Sequence, residues 1–243
     1  MATKKLTAKP SISVFFPCYN DEGSIAKLVN DASAVLRRIA EDWEVIVVDD
    51  GSSDNSRKIL KALAKNNPKL KIVFHEKNRG YGGALKSGFR NATKELVFYT
   101  DGDGQYDVRE IEKLLPRIAD GIDVVQGYKL KRHDPFYRMI IGTLYHHFSR
   151  IVFNIKVKDI DCDFRLIRKK AMDGITLHYD SGVICVELVK KLQKKGARFS
   201  EIGVHHFPRL HGQSQFFNIR RVSKTLAEQT VLWWKLIILK QYD

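Results

Sequence analysis

Ile12-Ser13-Val14-Phe15-Phe16 is a short apolar run, and with Pro17 and the turn formers Asn20 and Gly23 behind it, it predicts a buried strand that stops at the proline. From Ser24 onward the period changes. Ile25, Leu28, Val29, Ala32, Leu36 and Ile39 fall on one face of a 3.6-residue repeat, so a helix follows. Glu44-Val45-Ile46-Val47-Val48 is nearly unbroken and β-branched, the pattern of a strand covered on both faces, and it ends at Asp49-Asp50-Gly51-Ser52. The unit then repeats. Asp54 can cap a helix that turns Ile59, Leu60 and Leu63 inward, and Leu70 to Phe74 reads as a strand. Gly80-Tyr81-Gly82-Gly83 opens another helix, with Ala84, Leu85, Gly88 and Phe89 at helical spacing. Leu96 to Tyr99 is strand-like, one amphipathic helix is expected through Ile111, Leu114, Leu115 and Ile118, and Asp123 to Gln126 is the next strand. Five strand–helix units in succession predict an α/β sheet with right-handed crossovers and a ligand crevice at the carboxyl ends of its strands.

Beyond Gly127 the texture changes. Tyr128 to Asp134 is polar and basic, and Pro135 opens an aromatic helix to Asn154 that carries Phe136, Ile140, Leu144, Phe148 and Phe153. Phe164 to Ile167 is expected to be a strand, Val183 to Leu192 a helix closed by Gly196, and Phe199 to Phe207 a strand. A last helix over about 218–239 ends in Val231-Leu232-Trp233-Trp234-Lys235-Leu236-Ile237-Ile238-Leu239. It is too short and too interrupted to span a bilayer, but paired tryptophans among aliphatics, with basic residues upstream, suit a helix lying in a membrane interface. Docking on the core or on another subunit would bury the same face. Nothing near Met1 to Lys9 resembles an apolar leader, so neither export nor an integral membrane position is expected.

Charge sharpens this division. The chain of 243 residues carries a net +14, with only +2 in residues 1–128 and +12 in residues 129–243. The second half therefore suits an anionic partner: nucleic acid, lipid head groups or a phosphorylated small molecule. Its aromatic residues form no RNA-reading signature, so nucleic acid is not the expected partner. Cys18, Cys162 and Cys185 lie far apart without C-x-x-C spacing, which speaks against a disulfide scaffold or structural zinc and for a reducing compartment. His146-His147 and His205-His206 are adjacent pairs that cannot chelate by themselves on a helix or a strand, whereas His211, beside Arg209, is a candidate phosphate or sugar contact.

The candidate chemistry sits in Thr100-Asp101-Gly102-Asp103-Gly104-Gln105-Tyr106-Asp107. Gly102 lets the backbone bend so that Asp101 and Asp103 converge on one hard cation. Pro17-Cys18-Tyr19-Asn20-Asp21-Glu22 and Asp49-Asp50-Gly51-Ser52 end two other strands, and three such turns at strand tips line one crevice. Tyr19 can stack on a base, and Asp50 or Asp49 can accept hydrogen bonds from a base or ribose. The chain lacks G-x-x-x-x-G-K-[ST], and no G-x-G-x-x-G follows the first strand, so a diphosphate's charge would have to be met by a divalent cation on Asp101 and Asp103.

With these motifs, and with Asn78-Arg79-Gly80-Tyr81-Gly82-Gly83-Ala84, Asp159 through Arg165 and Arg209 through Ser214, the chain resembles family-two glycosyltransferases of the GT-A fold over about 12–214. Within that family it is similar to the branch of dolichol-phosphate mannose synthases and bacterial polyprenyl-phosphate glycosyltransferases. The resemblance implies a Rossmann-like nucleotide-binding sheet with flanking helices and a C-terminal amphipathic helix. It implies one domain, with a donor half over about 10–127, an acceptor half over about 128–214 and the helix over about 215–243. Pro17, Tyr19, Asn20, Asp21, Val48 and Asp50 are expected to hold the nucleotide together with Asp101, Gly102 and Asp103, while Asp101, Asp103 and Gln105 handle Mg²⁺ or Mn²⁺. The expected reaction is inverting sugar transfer from a UDP- or GDP-sugar to a polyprenyl phosphate at the cytoplasmic face of the membrane, with a homo-oligomer or membrane-protein partner left open. Arg138 and Arg209 are taken as catalytic residues that meet the acceptor phosphate, with Ser214, Arg220 and Arg221 beside them, since guanidinium forks match phosphate oxygens. Two positions depart from the family pattern. Asp163 stands where relatives usually have glycine, as a base for a hydroxyl acceptor or as a partner of Arg165, and Gln213-Ser214-Gln215 replaces an ending with lysine.

Overall fold

The computed structural model describes residues 8–119, 121–131, 147–210 and 219–241, with only the backbone of 219–222 and 224. Its seven strands form one sheet. They are β1 (Ser11–Cys18), β2 (Asp42–Asp49), β3 (Leu70–Phe74), β4 (Leu96–Thr100), β5 (Val124–Lys129), β6 (Phe164–Arg168) and β7 (Phe199–Val204), in the order β3-β2-β1-β4-β6-β5-β7. β1, β2, β3 and β4 pair in parallel, as successive strand–helix units require. β6 lies between β4 and β5 and is antiparallel to both, and β7 completes the sheet parallel to β5.

Both faces of the sheet are covered. α1 (Ile25–Ile39), α2 (Ser56–Asn66) and the short α4 (Leu115–Ala119) bury Ile25, Leu36, Leu60 and Ile118 against Val14, Phe16, Val45 and Val47. α3 (Tyr81–Asn91), α5 (Val183–Lys194) and the C-terminal α6 (Ile219–Trp233) cover the other face, where Leu85, Val186 and Leu232 join Phe15, Ile46, Val48 and Tyr99. Burial on both sides is why β2 reads as a continuous apolar run. α6 continues as a π-helical turn over Trp234–Ile238.

Four expectations are corrected. β1 does not stop at Pro17 but runs through Cys18. Its pairing with β4 has ended at Phe15 while β2 still accompanies it, so an imino acid fits there. The single helix expected over Ile111 to Ile118 is a 3₁₀ segment, Val108–Lys113, followed by one turn of α-helix, because Pro116 lacks the N–H that a continuous ladder needs. β5 extends to Lys129, and β7 ends at Val204 rather than Phe207. Asp54 does accept the Ser56 N–H at 2.9 Å, with Asn55 in the cap position itself. Of the aromatic helix expected over 135–154, residues 147–153 are described and helical, and the remainder lies outside the described residues.

Candidate active site

Strand direction collects the chemistry on one edge. β6 reverses the chain, so β4 and β5, both antiparallel to it, point the same way, and the carboxyl ends of β1, β2, β4, β5 and β7 share an edge with the entry into β6. That edge gathers Pro17 to Asp21, Asp49 to Ser52, Asp101 to Tyr106, Lys129, Asp163 and His205 to Arg209. Open α/β sheets bind ligands at such an edge.

The acidic turn is pressed against the tip of β1. Ser24 Oγ donates to Gly102 O at 2.8 Å. A Cβ on Gly102 would collide with the Pro17 carbonyl oxygen and lie 3.4 Å from Asp21 Oδ2. The glycine with left-handed backbone in this turn is Gly104, at φ 74°, not Gly102. The glycine between the two acids therefore serves close approach rather than a bend, which corrects the sequence-based reason for it.

Asp103 is gripped from two sides. Its Oδ1 accepts the Gln105 N–H at 3.0 Å, and its Oδ2 pairs with the Arg209 guanidinium. The segment leading to Arg209 is stitched to the same turn: Phe207 N donates to Gln105 O at 2.8 Å, Gln105 Nε2 donates to Phe207 O at 3.0 Å, and Tyr106 bridges His206. Burial, then Asp163 and Asp103, push the Asp101 carboxyl well above the usual carboxylate range. Burial raises Asp103 too, opposed by Arg209. Asp21 is pushed up to about 6, chiefly by burial, with the Asp103 charge adding to it and the Tyr19 N–H at 3.0 Å opposing it. Tyr81 is buried beside Asp101: its hydroxyl favours the charged form of that carboxyl, and the charge of Asp101 adds to the burial that raises the Tyr81 phenol.

These residues fit a divalent cation. Carboxylates crowded together in a buried turn are a hard-oxygen donor set whose ionised form a cation relieves, which suits Mg²⁺ or Mn²⁺. Among the described residues no group of three or more His, Cys, Asp and Glu forms a protein-only cage. Gln105 has its amide nitrogen committed to Phe207, and its Oε1 is the remaining acceptor.

The other expected nucleotide residues chiefly lace the strand tips together. Asn20 adopts φ 56°, takes the Ser53 N–H on its Oδ1 at 2.8 Å and donates its own N–H to Ser52 Oγ at 3.0 Å. Asp21 N donates to Ser56 Oγ at 3.1 Å. Asp50 is buried, and its carboxylate accepts the N–H of Arg79 at 2.8 Å and of Gly80 at 2.9 Å, with His75 Nδ1 at 2.7 Å. It thus holds the segment entering α3. Val48 turns its side chain into the core, so only its backbone faces the edge. Asp49 pairs with Arg57 at 2.6 Å. Asp163 lies 3.1 Å from the wholly buried Arg165 and accepts from Cys185 Sγ at 3.3 Å. Arg138, Ser214 and His211 lie outside the described residues, as do the side chains of Arg220 and Arg221.

Sequence reasoning missed Ser24, His75, Tyr81 and Lys129 as members of this edge. Lys129 lowers the proton affinity of Asp101 and Asp103 and donates to Asp161 O at 2.9 Å. The available signal was its place at the end of the apolar run that forms β5.

A mainly parallel seven-stranded sheet with helices on both faces and acidic turns at its strand tips is a mixed α/β fold of the GT-A type. The model of the family described as Glycosyl transferase family 2 matches residues 13–176, and the chain belongs to that family. It is 29% identical over 221 residues to an undecaprenyl-phosphate 4-deoxy-4-formamido-L-arabinose transferase of Enterobacter sp. (strain 638), which covers 90% of this chain and 66% of that protein. Identity is 28% over 213 residues to the protein of the same name from Pseudomonas fluorescens (strain SBW25), covering 87% and 62%. The chain thus spans less than two thirds of the length of these relatives. Among solved structures, glucosyl-3-phosphoglycerate synthase from Mycobacterium tuberculosis, in complex with Mn²⁺, uridine diphosphate and glucosyl-3-phosphoglycerate, has a TM-score of 0.69 at 16% identity, over 93% of this chain and 79% of that one. The same enzyme with phosphoglyceric acid has a TM-score of 0.70 at 15% identity, over 93% and 79%. At such identity the likeness is one of fold.

Proposed function

We propose that this chain is an inverting glycosyltransferase that moves a sugar from a nucleotide-diphosphate donor to a polyprenyl phosphate at the cytoplasmic surface of a membrane. The observation that carries this is the meeting of Asp101, Asp103, Asp21 and Arg209 on one sheet edge beside the β1 tip. Carboxylates for a cation and an arginine for a phosphate are what transfer between two phosphorylated substrates needs. The names of the bacterial relatives, which transfer a sugar to undecaprenyl phosphate, support the acceptor class.

Asp101 and Asp103, with Gln105, would hold Mg²⁺ or Mn²⁺, which when bound neutralises the leaving nucleoside diphosphate. The remaining work is positioning. Tyr19 offers a ring for the base, and Asp50 fixes the segment at Arg79 and Gly80 beside it. Arg209 stands within reach of an acceptor phosphate, with Arg138, Ser214, Arg220 and Arg221 as sequence-based companions. A phosphate oxygen is already an anion at neutral pH, so no strong base is required and orientation dominates. Asp163, tied to Arg165 and Cys185, is not poised as a base, which favours the phosphate acceptor over a hydroxyl.

A lipid acceptor needs a surface on which to be met. Phe148 and Ile151 stand exposed on the helical stretch 147–153, which α6 touches through Gln229 Nε2 and Ser149 Oγ at 2.6 Å. Leu226, Trp234 and Ile238 are exposed along α6 and its π-helical end. No helix among the described residues is long and apolar enough to cross a membrane, so interfacial contact is the proposed mode. The test is incubation of the protein with Mg²⁺, radiolabelled UDP- or GDP-sugars and undecaprenyl phosphate. Label should enter the organic phase, and Asp103→Ala should reduce this at least about a hundredfold, the scale of losing one electrostatic stabiliser of a transition state. Label confined to water-soluble glycan would overturn the lipid acceptor.

A further inference from the structure

Asp103 Oδ1 already accepts the Gln105 N–H, which leaves Oδ2 as the oxygen a cation would take, and that same atom pairs with the Arg209 guanidinium. The contact is built in. Tyr106–His206 pairing and the two Gln105–Phe207 hydrogen bonds fix the backbone two residues before Arg209, with Pro208 between, so the guanidinium is delivered at high local concentration. Arg209 is partly buried there, with its side chain 27% exposed, and Asp103 is 8% exposed, so the pair is not a fully solvated surface bridge. One carboxylate oxygen cannot serve a guanidinium N–H and a divalent cation in full at once.

We propose that Arg209 is an intramolecular counter-cation that competes with the divalent metal for Asp103, and that metal binding releases its guanidinium to receive the acceptor phosphate. This rests on the metal reading of Asp101 and Asp103. By linkage, whatever binds Asp103 in place of Arg209 raises the availability of Arg209 to an anion, and an anion held by Arg209 raises the affinity of Asp103 for metal. The stitch through Gln105 and Phe207 keeps the released guanidinium near the cation rather than letting it swing into solvent. Metal with donor therefore precedes acceptor, and an acceptor phosphate cannot claim Arg209 cheaply while the carboxylate holds it.

The test needs no turnover. Mn²⁺ binding to the full chain, without nucleotide or acceptor, is measured by electron paramagnetic resonance for the wild type, Arg209→Gln, Arg209→Lys and Asp103→Asn, with thermal midpoints to show that each is folded. Arg209→Gln should bind Mn²⁺ at least about fivefold more tightly than the wild type, the low end of coupled binding events, with Arg209→Lys between them. In parallel, labelling of wild-type Arg209 by phenylglyoxal, read by peptide mass, should rise when Mg²⁺ is added alone. Unchanged or weaker Mn²⁺ affinity in a folded Arg209→Gln, or labelling indifferent to Mg²⁺, would overturn the competition. Undiminished binding in Asp103→Asn would instead overturn the metal reading beneath it, so the two failures are distinct.

Discussion

Asp21 shows how the site loads individual side chains. Its carboxyl is raised from an ordinary 3.8 to about 6, chiefly by burial. A folded-state value above the unfolded one means that the contribution to stability is fully present below the unfolded value and is lost as pH rises through about 6. The ligand-free wild type should therefore lose thermal midpoint between about pH 4 and about pH 6 relative to Asp21→Asn, checked by melting both across that range. Identical pH profiles would remove the buried-charge account. At this scale the sequence was legible in residue type and only partly in reason. The Asp101 and Asp103 pair can be read from its position after an apolar run, but the local pattern suggests a bend at Gly102, whereas that glycine answers to the Pro17 carbonyl, a contact between residues 85 positions apart that no local pattern encodes. Asp163 beside Arg165 could be read because the partners are two residues apart on the entry to one strand.

Elements were legible wherever a single period ran unbroken. β2 and α1 follow directly from the β-branched run and the 3.6-residue repeat, whereas the helix through Leu114 broke at Pro116, whose backbone outweighed the apolar spacing around it. The antiparallel setting of β6 was not legible, since direction depends on how the chain returns and not on the strand's own residues. Elements are also tied by buried charge. Glu44 in β2 accepts from Ser13 of β1 at 2.6 Å and from the Thr93 N–H before β4 at 2.7 Å, with Lys71 of β3 at 2.5 Å. Burial would raise this carboxyl, but these donors outweigh it and hold it at about 2 against an ordinary 4.5. A lowered folded value gives stability that is present above 4.5 and lost as pH falls toward 2. Glu44→Gln should cost about 1 to 3 kcal/mol at neutral pH and flatten the acid limb of a denaturant-stability profile. A variant as acid-sensitive as the wild type would refute that role.

At the scale of the whole molecule, the two ends of the proposed reaction are set on separate features, a polar sheet edge and an apolar outer face on α6. Trp234 is 52% exposed and Ile151 79% exposed, on elements joined by the Gln229–Ser149 hydrogen bond. Trp234→Glu should weaken sedimentation with anionic phospholipid vesicles severalfold while leaving the thermal midpoint and UDP-induced stabilisation unchanged. Loss of folding or of nucleotide response would show that the tryptophan belongs to the core instead. The uneven charge of the two halves can be read from the sequence, whereas the exposed apolar face cannot, since it depends on which helix faces packing leaves uncovered.

The placement of β6 also bears on how the protein can move. Because β6, a strand from beyond residue 160, is hydrogen-bonded on one side to β4 and on the other to β5, the described strands from both halves of the chain are woven into one sheet. Opening a cleft between β4 and β5 would have to break the hydrogen bonds that β6 makes to both. Any motion that times the proposed reaction is then expected at the rim, so crosslinks that staple β4 to β6 should leave activity intact where tethering the turn after His206 arrests it.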